Sequence, residues 1–405
     1  MRRPILAALL ALVVAASSAL SAPSAIRTVT LVETRPIETA LGDSTLPTAR
    51  LEWVAMIDGA KQTLDLEEFY LSEQPGEALS PVLDAIGRAA SRGVRVRLLL
   101  DAGMHRTYPM PADSLGKLPG VTVRTIDYRR IAGGVQHAKY FVVDGAESYL
   151  GSQNLDWRSL SHIHELGARI RDRTVATALT GVFETDWTVA ADSNATTPTV
   201  LHGVSFPLAF SQDGAAGQLW ISASPPRMTP TAVPHDLDVV VERLRAAKRE
   251  VCVQTLTYGN GSHGVVDSTL HKELIRAAGR GVHVRLLVSD WEIGGRGEKD
   301  LRALAAVRNI EVRISRVPEW SGGYISFARV DHCKFMVVDG EWLWVGTSNW
   351  EPSYFLGTRN VALTVHHVPL ALEGLKLFES DWSGPTATAF GPDTVTAPRS
   401  HGEKP

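Results

Sequence analysis

The residues most able to do chemistry in this sequence form a histidine–lysine–aspartate pattern that occurs twice at identical spacing. The copies are VQHAKYFVVDG, which contains His137, Lys139 and Asp144, and VDHCKFMVVDG, which contains His332, Lys334 and Asp339. An asparagine follows each histidine by 17 residues in a Gly-Ser/Thr-x-Asn turn, namely Asn154 and Asn349. One match among 13 histidines is weak evidence, whereas two with matched turns are strong evidence. Imidazoles can act as nucleophile and proton donor, while ammonium and amide groups hold phosphate oxygens. The pattern therefore predicts a phosphate-processing site that needs no metal ion.

The alternation of side chains along a strand explains why each histidine and lysine belong together. A strand through VQHAKYFVVDG places His137 and Lys139 on one face, and the second copy repeats the arrangement. Asp144 and Asp339 fall on the opposite face, so we expect them to be structural, capping a turn or pairing with a cation. Each half supplies a single imidazole of this kind, so a complete site needs both halves.

The chain repeats itself on the scale of a domain. The segment RAASRGVRVRLLLD (88–101) matches RAAGRGVHVRLLVSD (276–290), and each motif histidine lies 50 residues before the tryptophan of a matched FETDW or FESDW segment. Alternating amphipathic helices and apolar strands predict layered α/β lobes that meet about a pseudo-twofold axis. The predicted boundaries are an N-terminal lobe at 27–195, a linker at 196–215, a C-terminal lobe at 216–385 and a disordered polar tail at 386–405.

One difference between the halves assigns the roles of the two histidines. The residue 28 positions after the histidine is Glu165 in the first half and Asn360 in the second. A carboxylate bonded to one ring nitrogen fixes the tautomer and makes the other nitrogen more basic. We expect Glu165 to support His137 as the nucleophile that forms a phosphohistidine, with His332 as the proton donor that then activates water. The groups expected to hold the phosphate oxygens are Lys139, Lys334, Asn154 and Asn349.

Composition narrows the classes of function. The chain has 405 residues, 44% of them hydrophobic and 21% charged, with a net charge of −3. The absence of a basic excess argues against a protein that tracks along duplex DNA. Cys252 and Cys333 are the two cysteines, and we interpret both as packed free thiols. We expect no cofactor and no metal ion, although His162 and His164 leave a metal pair as an alternative to a solvated or supporting stretch.

The N-terminus has the layout of a secretory signal peptide. Arg2 and Arg3 precede an apolar run from Ile5 to Ala16, and small residues follow. The run is short for a membrane span, and an uncleaved anchor is the alternative. We expect a signal peptide over residues 1–25 and a secreted or periplasmic protein.

The doubled motif HxKxxxxD followed by GSxN resembles that of the phospholipase D superfamily over about residues 50–385. YLGSQNLDWRSLSHIHELG and RVDHCKFMVVDGEWLWVGTSNW are similar to GSANMDWRSLTxxxELG and RVNHxKYMV…IGTSNW of one branch. That branch holds the lysosomal phospholipase-D-like 5′-exonucleases and the poxvirus envelope phospholipase. The resemblance implies paired α/β/α sandwich lobes with the active site at their interface, and metal-independent catalysis. It implies catalytic roles for His137, Lys139, Asn154, His332, Lys334 and Asn349, with Glu165 supporting. Asp339 keeps a complete second motif, which the branch often shortens.

A phosphodiesterase is the function that these residues predict, acting on phospholipid headgroups or on the ends of single-stranded nucleic acid. Transfer of a headgroup to an alcohol is a variant of the same mechanism. The stretch GGYISF (322–327) suits peripheral contact with a membrane. Aromatic residues near the expected mouth suit base stacking; these are Trp157, Trp291, Trp320, Trp350 and Tyr354. The alternative is a non-catalytic envelope or binding protein that retains the fold, against which two intact motifs weigh. The sequence leaves the oligomeric state open.

Overall fold

The computed structural model describes residues 28–195 and 197–399 and confirms an α/β fold of two repeated lobes. The expected signal peptide lies outside the described residues. Within them, no helix combines the length and the apolar character needed to cross a membrane.

The first lobe is built on a mixed seven-stranded sheet. The strands of the lobe are β1 (Val29–Thr34), β2 (Thr63–Glu68), β3 (Leu71–Ser72), β4 (Arg95–Asp101), β5 (Val121–Ile126), β6 (Tyr140–Val143), β7 (Glu147–Gly151), β8 (Leu155–Asp156) and β9 (Glu165–Ile170). Strands β3 and β8 pair with each other outside the seven-stranded sheet. Its helices are α1 (Ala49–Gly59), α2 (Ser80–Ser91), α3 (Ala102–Thr107), α4 (Met110–Leu115), α5 (Tyr128–Ala132) and α6 (Arg173–Ala191). The sheet has the order β1-β9-β7-β6-β2-β4-β5. Strands β2, β4 and β5 are parallel and the remaining neighbours are antiparallel.

The second lobe repeats this sheet and adds a strand at each edge. Its strands are β10 (Leu208–Gln212), β11 (Ala215–Ser224), β12 (Glu250–Thr255), β13 (Gly261–Ser262), β14 (Val265–Val266), β15 (His283–Ser289), β16 (Ile310–Ser315), β17 (Phe335–Val338), β18 (Trp342–Gly346), β19 (Asn360–His366) and β20 (Ala387–Phe390). Its helices are α7 (Asp236–Ala246), α8 (Thr269–Gly279), α9 (Glu298–Ala305), α10 (Pro352–Leu356) and α11 (Val368–Ser383). The order is β10-β11-β19-β18-β17-β12-β15-β16-β20, so the inner seven strands correspond to those of the first lobe.

The matched segments of the repeat occupy matched positions in the fold. Helices α2 and α8 each bury an apolar face on the sheet, and each ends at an Arg-Gly pair. Gly93 and Gly281 adopt φ values of 87° and 94°, the left-handed conformation that ends a helix without strain when the residue is glycine. Strands β4 and β15 follow directly and are buried from their second residue onward, which accounts for their continuous apolar sequence.

The core is arranged in layers. One hydrophobic cluster packs α1 and α2 against the outer face of the first sheet, and another packs α7, α8 and α9 against the outer face of the second. A third cluster contains residues of both sheets together with α6 and α11, which lie between them. The buried interface between the lobes is therefore continuous hydrophobic core, and it fixes the two motifs relative to each other.

Two segments outside the predicted lobes have regular structure. Residues Ala387–Phe390 form β20, which pairs with β16, so the prediction of a disordered tail from residue 386 is wrong for this stretch. Arg399, beyond it, donates hydrogen bonds to the carbonyls of Val317 and Arg329. The predicted linker contains β10, which pairs with β11. Polar composition concealed both strands because each lies at a sheet edge with one side exposed.

Candidate active site

Both histidine–lysine segments lie just before a short strand in the middle of a sheet. His137 and Lys139 precede β6, and His332 and Lys334 precede β17, so each strand is shorter than the sequence predicts. The alternation of faces nevertheless holds, because Phe141 continues the face of His137 into the outer core of its lobe. All four motif side chains are buried.

Backbone hydrogen bonds between the lobes explain why these segments leave their own sheets. The N–H of His137 donates to the carbonyl of Arg359 at 3.0 Å, and the N–H of His332 donates to the carbonyl of His164 at 2.8 Å. Each bond belongs to an isolated bridge between one lobe's motif and the start of the other lobe's β9 or β19. Arg359 therefore brings the next residue, Asn360, beside His137, and His164 brings the next residue, Glu165, beside His332.

The supporting pairs cross between the lobes, and the expected contact between Glu165 and His137 is wrong. Glu165 Oε2 lies 2.7 Å from Nδ1 of His332, and Asn360 Oδ1 lies 3.0 Å from Nδ1 of His137. The reason is geometric: the cross-lobe bridges bring the first residue of β9 and of β19 under the opposite histidine. Glu165 is buried and also accepts a short hydrogen bond from the Ser159 hydroxyl.

The amide partner sets the tautomer of His137. The amide nitrogen of Asn360 donates to the carbonyl of Tyr354 at 2.7 Å, and its oxygen accepts from the Thr347 hydroxyl at 2.7 Å. The oxygen therefore faces His137, and an amide oxygen can only accept, so Nδ1 carries the proton. A neutral ring protonated at Nδ1 has a free electron pair on Nε2, which is the state of a nucleophile.

Burial and the two lysines keep His137 uncharged. Burial lowers its pKa well below the usual value, and the ammonium groups of Lys139 and Lys334 lower it further. The same causes lower the pKa of His332. His332, however, faces Glu165, whose pKa burial raises to about 8 against the opposing pull of Lys334. The Glu165–His332 pair therefore holds one proton more than the Asn360–His137 pair near neutral pH.

The lysines and asparagines lie in the same buried space. Lys139 and Lys334 each donate to the carbonyl of their own motif histidine, at 2.6 and 2.8 Å. Burial lowers the pKa of Lys139, and Lys334 lowers it further; burial brings the pKa of Lys334 to about 7, opposed by Glu165. The side-chain oxygens of Asn154 and Asn349 are buried without a hydrogen-bond partner among the described residues. An anion bound between the two desolvated lysines would stabilise their charged forms, and the asparagines could hold it only through their amide N–H groups.

The motif aspartates lie at the far end of the strands, away from this space. Asp144 accepts hydrogen bonds from the backbone N–H groups of residues 61, 62 and 63 at 2.7–2.9 Å, where β2 begins. Asp339 does the same for residues 248, 249 and 250 at 2.7–3.0 Å, before and at the start of β12. Each aspartate fixes the entry of the strand that pairs with its motif strand.

Aromatic rings extend from His137 in a continuous series, which we call the aromatic strip. The ring of His137 lies 4.9 Å from Tyr354 and 5.0 Å from Phe69. Phe69 is 5.5 Å from Tyr70, which is 5.6 Å from Tyr108. These four aromatic side chains are partly exposed. Of the aromatics expected at the mouth, Tyr354 belongs to the strip.

The surroundings of three other aromatic residues expected at the mouth are also defined. Trp157 and Trp320 flank His162, at 5.6 and 5.1 Å between ring centroids. Trp350 is fully buried in the outer core of the second lobe, so its assignment to the mouth is wrong. A tryptophan beside a motif asparagine can face either the site or the core, and the sequence alone does not distinguish the two.

One group of residues in the described chain has the composition of a metal site. His164, Asp331 and Cys333 place ligand-type atoms within 4.8 Å of one another. Nε2 of His164 lies 2.9 Å from Glu33, and its Nδ1 lies 3.4 Å from Asp331. An imidazole with a carboxylate at each nitrogen holds both protons and has no free electron pair, so the arrangement fits an imidazolium better than a metal ligand. Cys252 and Cys333 are buried free thiols.

Comparison with known proteins identifies the class to which this fold and site belong. The family described as "Cardiolipin synthase, PLD-like domain" matches residues 53–187 and 240–382. Phospholipase D Z of Dictyostelium discoideum is 31% identical over 363 residues, covering 82% of this chain and 84% of the relative. The 5'-3' exonuclease PLD3 of Xenopus tropicalis is 30% identical over 386 residues, covering 85% and 76%. The crystal structure of phosphatidylserine synthase from Haemophilus influenzae Rd KW20 shares the fold, with a TM-score of 0.61 at 12% identity over 84% of this chain and 85% of that one.

The doubled site thus defines a phosphodiester hydrolase. The chain belongs to the phospholipase D superfamily.

Proposed function

We propose that the protein cleaves phosphodiesters through a covalent phosphohistidine on His137, with His332 as the proton donor. The observation that carries this assignment is the crossed pairing of the two histidines with unlike partners. The roles are those expected from the sequence, but the physical reason is different. Burial and the two lysines keep His137 neutral, and Asn360 holds its ring with Nε2 free to attack, whereas Glu165 keeps a proton available on the His332 side.

In the first step, the electron pair on Nε2 of His137 attacks phosphorus while the bond to the leaving oxygen breaks. The leaving oxygen takes the proton from Nε2 of His332, and Glu165 stabilises the ring that remains. In the second step, His332 removes a proton from water as the water oxygen attacks phosphorus. The phosphorus–nitrogen bond breaks, and its electron pair returns to His137. An alcohol in place of water would give transfer of the phosphatidyl group.

The lysine and asparagine side chains would stabilise the charge that develops on the non-bridging oxygens. Lys139 and Lys334 approach from opposite lobes, and after burial the charge of Lys334 further lowers the pKa of Lys139. A bound phosphodiester would relieve that repulsion and raise the pKa of both lysines. Preorganised donors in a desolvated site are the largest single source of stabilisation in many enzymes.

Among substrates, we propose the end of a single-stranded nucleic acid. The aromatic strip supports this choice because it begins at the nucleophile and consists of partly exposed aromatic rings, the kind of side chain on which bases stack. The net charge of −3 gives no general affinity for duplex. The 5'-3' exonuclease relative is named for an activity of this kind.

A phospholipid headgroup is the second candidate. The segment 322–327 has an exposed Tyr324 next to glycines and follows Trp320 closely in the sequence. It is therefore an aromatic loop at the surface. Phospholipase D relatives are also named for this activity. Contact of such a loop with a bilayer would be peripheral.

The two substrates are distinguished by direct comparison. Wild type and the double variant Phe69→Ala/Tyr108→Ala would each be given end-labelled single-stranded DNA and phosphatidylcholine vesicles. The single variant Tyr324→Ala is the matched aromatic control. The proposal expects DNA shortening from an end, about a tenfold or greater loss in kcat/KM for the double variant, and little effect of Tyr324→Ala. Choline release without DNA hydrolysis, impaired by Tyr324→Ala, would contradict the nucleic-acid proposal. Turnover of neither substrate nor of bis-p-nitrophenyl phosphate would contradict the enzymatic function.

We also propose export by the N-terminal segment, based on its sequence pattern alone. N-terminal sequencing of exported protein should then begin near residues 20–26. An intact Met1 on membrane-embedded protein would refute cleavage.

A further inference from the structure

A buried charged cluster beside each catalytic histidine ties the two lobes together, and the clusters occupy equivalent positions in the repeat. On one side, Arg359 makes two hydrogen bonds to Asp186 of the first lobe, at 2.6 and 2.8 Å. On the other side, His164 of the first lobe faces Asp331 and Asp381 of the second at 3.4 and 3.6 Å. The offset of 195 residues that relates the motifs also relates His164 to Arg359 and Asp186 to Asp381.

Each cation directly precedes the residue that supports a catalytic histidine. Arg359 precedes Asn360, and His164 precedes Glu165. The backbone carbonyl of each cation accepts the N–H of the catalytic histidine across the interface, as described above. A single residue thus anchors its side chain in the other lobe while its backbone holds the catalytic histidine and presents the supporting side chain.

The two cations differ in chemistry although their positions match. A guanidinium is charged at every accessible pH, whereas an imidazole is charged only when it binds a second proton. Around Arg359 the side chains are Asp186, Glu67 and two tyrosine hydroxyls, and burial raises the pKa of Glu67. The charge of the cation on that side is therefore fixed.

The groups that face His164 come from every element packed against it. They are Glu33 of β1 at 2.9 Å, Asp331 and Cys333 before β17 at 3.4 and 3.6 Å, Asp381 of α11 at 3.6 Å, and Arg35, which pairs with Glu33 at 3.9 Å. Burial disfavours a charge on His164, but Cys333, Asp381 and Asp331 outweigh burial and hold its pKa well above the usual value. Burial raises the pKa of Asp381 to about 6.

We infer that His164 is a positioning residue that remains an imidazolium and fixes Glu165 and His332 in register across the lobe interface. Arg359 does the same for Asn360 and His137 with a permanent charge. The inference rests on the proposed function, because it concerns the geometry of the proposed proton donor. As a consequence, the positions of Glu165 and His332 depend on the protonation of His164 and therefore on pH. The positions of Asn360 and His137 do not, because Arg359 stays charged.

The sign of the effect on stability follows from the raised pKa of His164. A histidine whose pKa is higher in the folded state contributes stability that is fully present below its unfolded value of about 6.5 and is lost as the pH rises through the folded value. Removing the imidazole should therefore destabilise the protein more at pH 6 than at pH 9.5.

The test compares His164→Gln, which removes the charge, with His164→Lys, which retains a cation. His283→Gln is the matched control, because His283 is exposed and forms an ion pair with Glu311 at 2.8 Å. Rates would be measured on bis-p-nitrophenyl phosphate, whose leaving group departs without a proton, and on the oligothymidylate or phosphatidylcholine that wild type turns over. Urea midpoints at pH 6 and 9.5 and the metal content of each purified protein complete the set.

We expect His164→Gln to lower kcat about ten- to a hundredfold on the substrate with the poor leaving group and much less on the p-nitrophenyl ester, with KM little changed. We expect His164→Lys to restore most of the rate and His283→Gln to leave it unchanged. Equal loss of rate on both substrates would overturn the inference. It would also be overturned if His164→Lys were no more active than His164→Gln and the differences between their urea midpoints and that of wild type were the same at both pH values. A stoichiometric metal ion that wild type holds and His164→Gln loses would overturn it as well. If no phosphodiester is cleaved, the proposed function fails, and the urea series still decides whether His164 is a buried imidazolium.

Discussion

Replacing Glu165 by glutamine should slow proton donation by His332 while leaving the geometry of the site in place. The carboxyl lies 2.7 Å from Nδ1 of His332, and a glutamine of nearly the same shape can still accept that hydrogen bond. What the variant loses is the extra proton that the Glu165–His332 pair retains up to a pKa of about 8. In the variant, His332 can donate a proton only when the ring itself is an imidazolium.

The size of the loss can be bounded from the direction of the pKa shift at His332. An unperturbed histidine with a pKa of about 6.5 is roughly 3% protonated at pH 8. Burial, Lys334 and Lys139 lower the pKa of His332, so its protonated fraction is smaller still. The wild-type pair, with a pKa of about 8, is about half protonated at this pH, so the rate of a step that needs this proton should fall at least about sixteenfold. The alkaline limb of the kcat/KM profile should also move to lower pH, because the variant must be protonated at the imidazole.

The assay compares leaving groups. Loss of the proton donor should slow cleavage of a sugar or glycerol ester at least about sixteenfold at pH 8 and cleavage of a p-nitrophenyl ester only a few-fold, because p-nitrophenolate leaves without a proton. Glu292→Gln is the matched control: Glu292 is also buried with its pKa raised, to about 7, and it bonds the backbone N–H of Gly297. Equal losses on both leaving groups, or an unchanged alkaline limb in Glu165→Gln, would refute the reasoning.

Three further outcomes follow from the same geometry. Lys139→Ala and Lys334→Ala should each lower kcat at least about a hundredfold, the scale seen when one oxyanion donor is removed, with circular dichroism and urea midpoints close to wild type; a fully active or unfolded variant would show the lysine to be idle or structural. Asp144→Ala should cost about 2 kcal/mol of unfolding free energy because three backbone N–H groups lose their acceptor, and kcat per folded molecule should change little; urea titration beside active-site titration measures both, and an unchanged midpoint would show that the cap contributes nothing. Activity should survive excess EDTA, because side chains stabilise the developing charge in this mechanism; loss with EDTA and recovery with Mg²⁺ or Zn²⁺ would contradict it.

The repeat made much of this architecture predictable. Matched segments at constant offset predicted two α/β lobes, and the Arg-Gly helix ends at Gly93 and Gly281 lie where the sequence put them. The sequence could not reveal the edge strand at Ala387–Phe390, because a four-residue strand with an exposed side has little periodicity.

The partner of each histidine was beyond the reach of spacing alone. Glu165 follows His137 by 28 residues in the same lobe, and spacing within a lobe favours a contact within that lobe. The contact with His332 depends on how the two lobes pack, which is set by side chains spread over the central hydrophobic cluster. The equivalence of His164 with Arg359 was visible in the repeat, but its meaning required the cross-lobe carboxylates that face each cation.

The central claim is that His137 carries the phosphoryl group and His332 delivers the proton. The most direct test is intact-mass analysis of His332→Asn and His137→Asn protein after acid-free quenching of a reaction with an activated phosphodiester. The account predicts an adduct in His332→Asn, mapped by peptide analysis to His137, because the good leaving group departs unassisted and no base activates water to release the product. It predicts no adduct in His137→Asn. An adduct on His332 in the His137→Asn protein would contradict the account and reverse the roles of the two lobes.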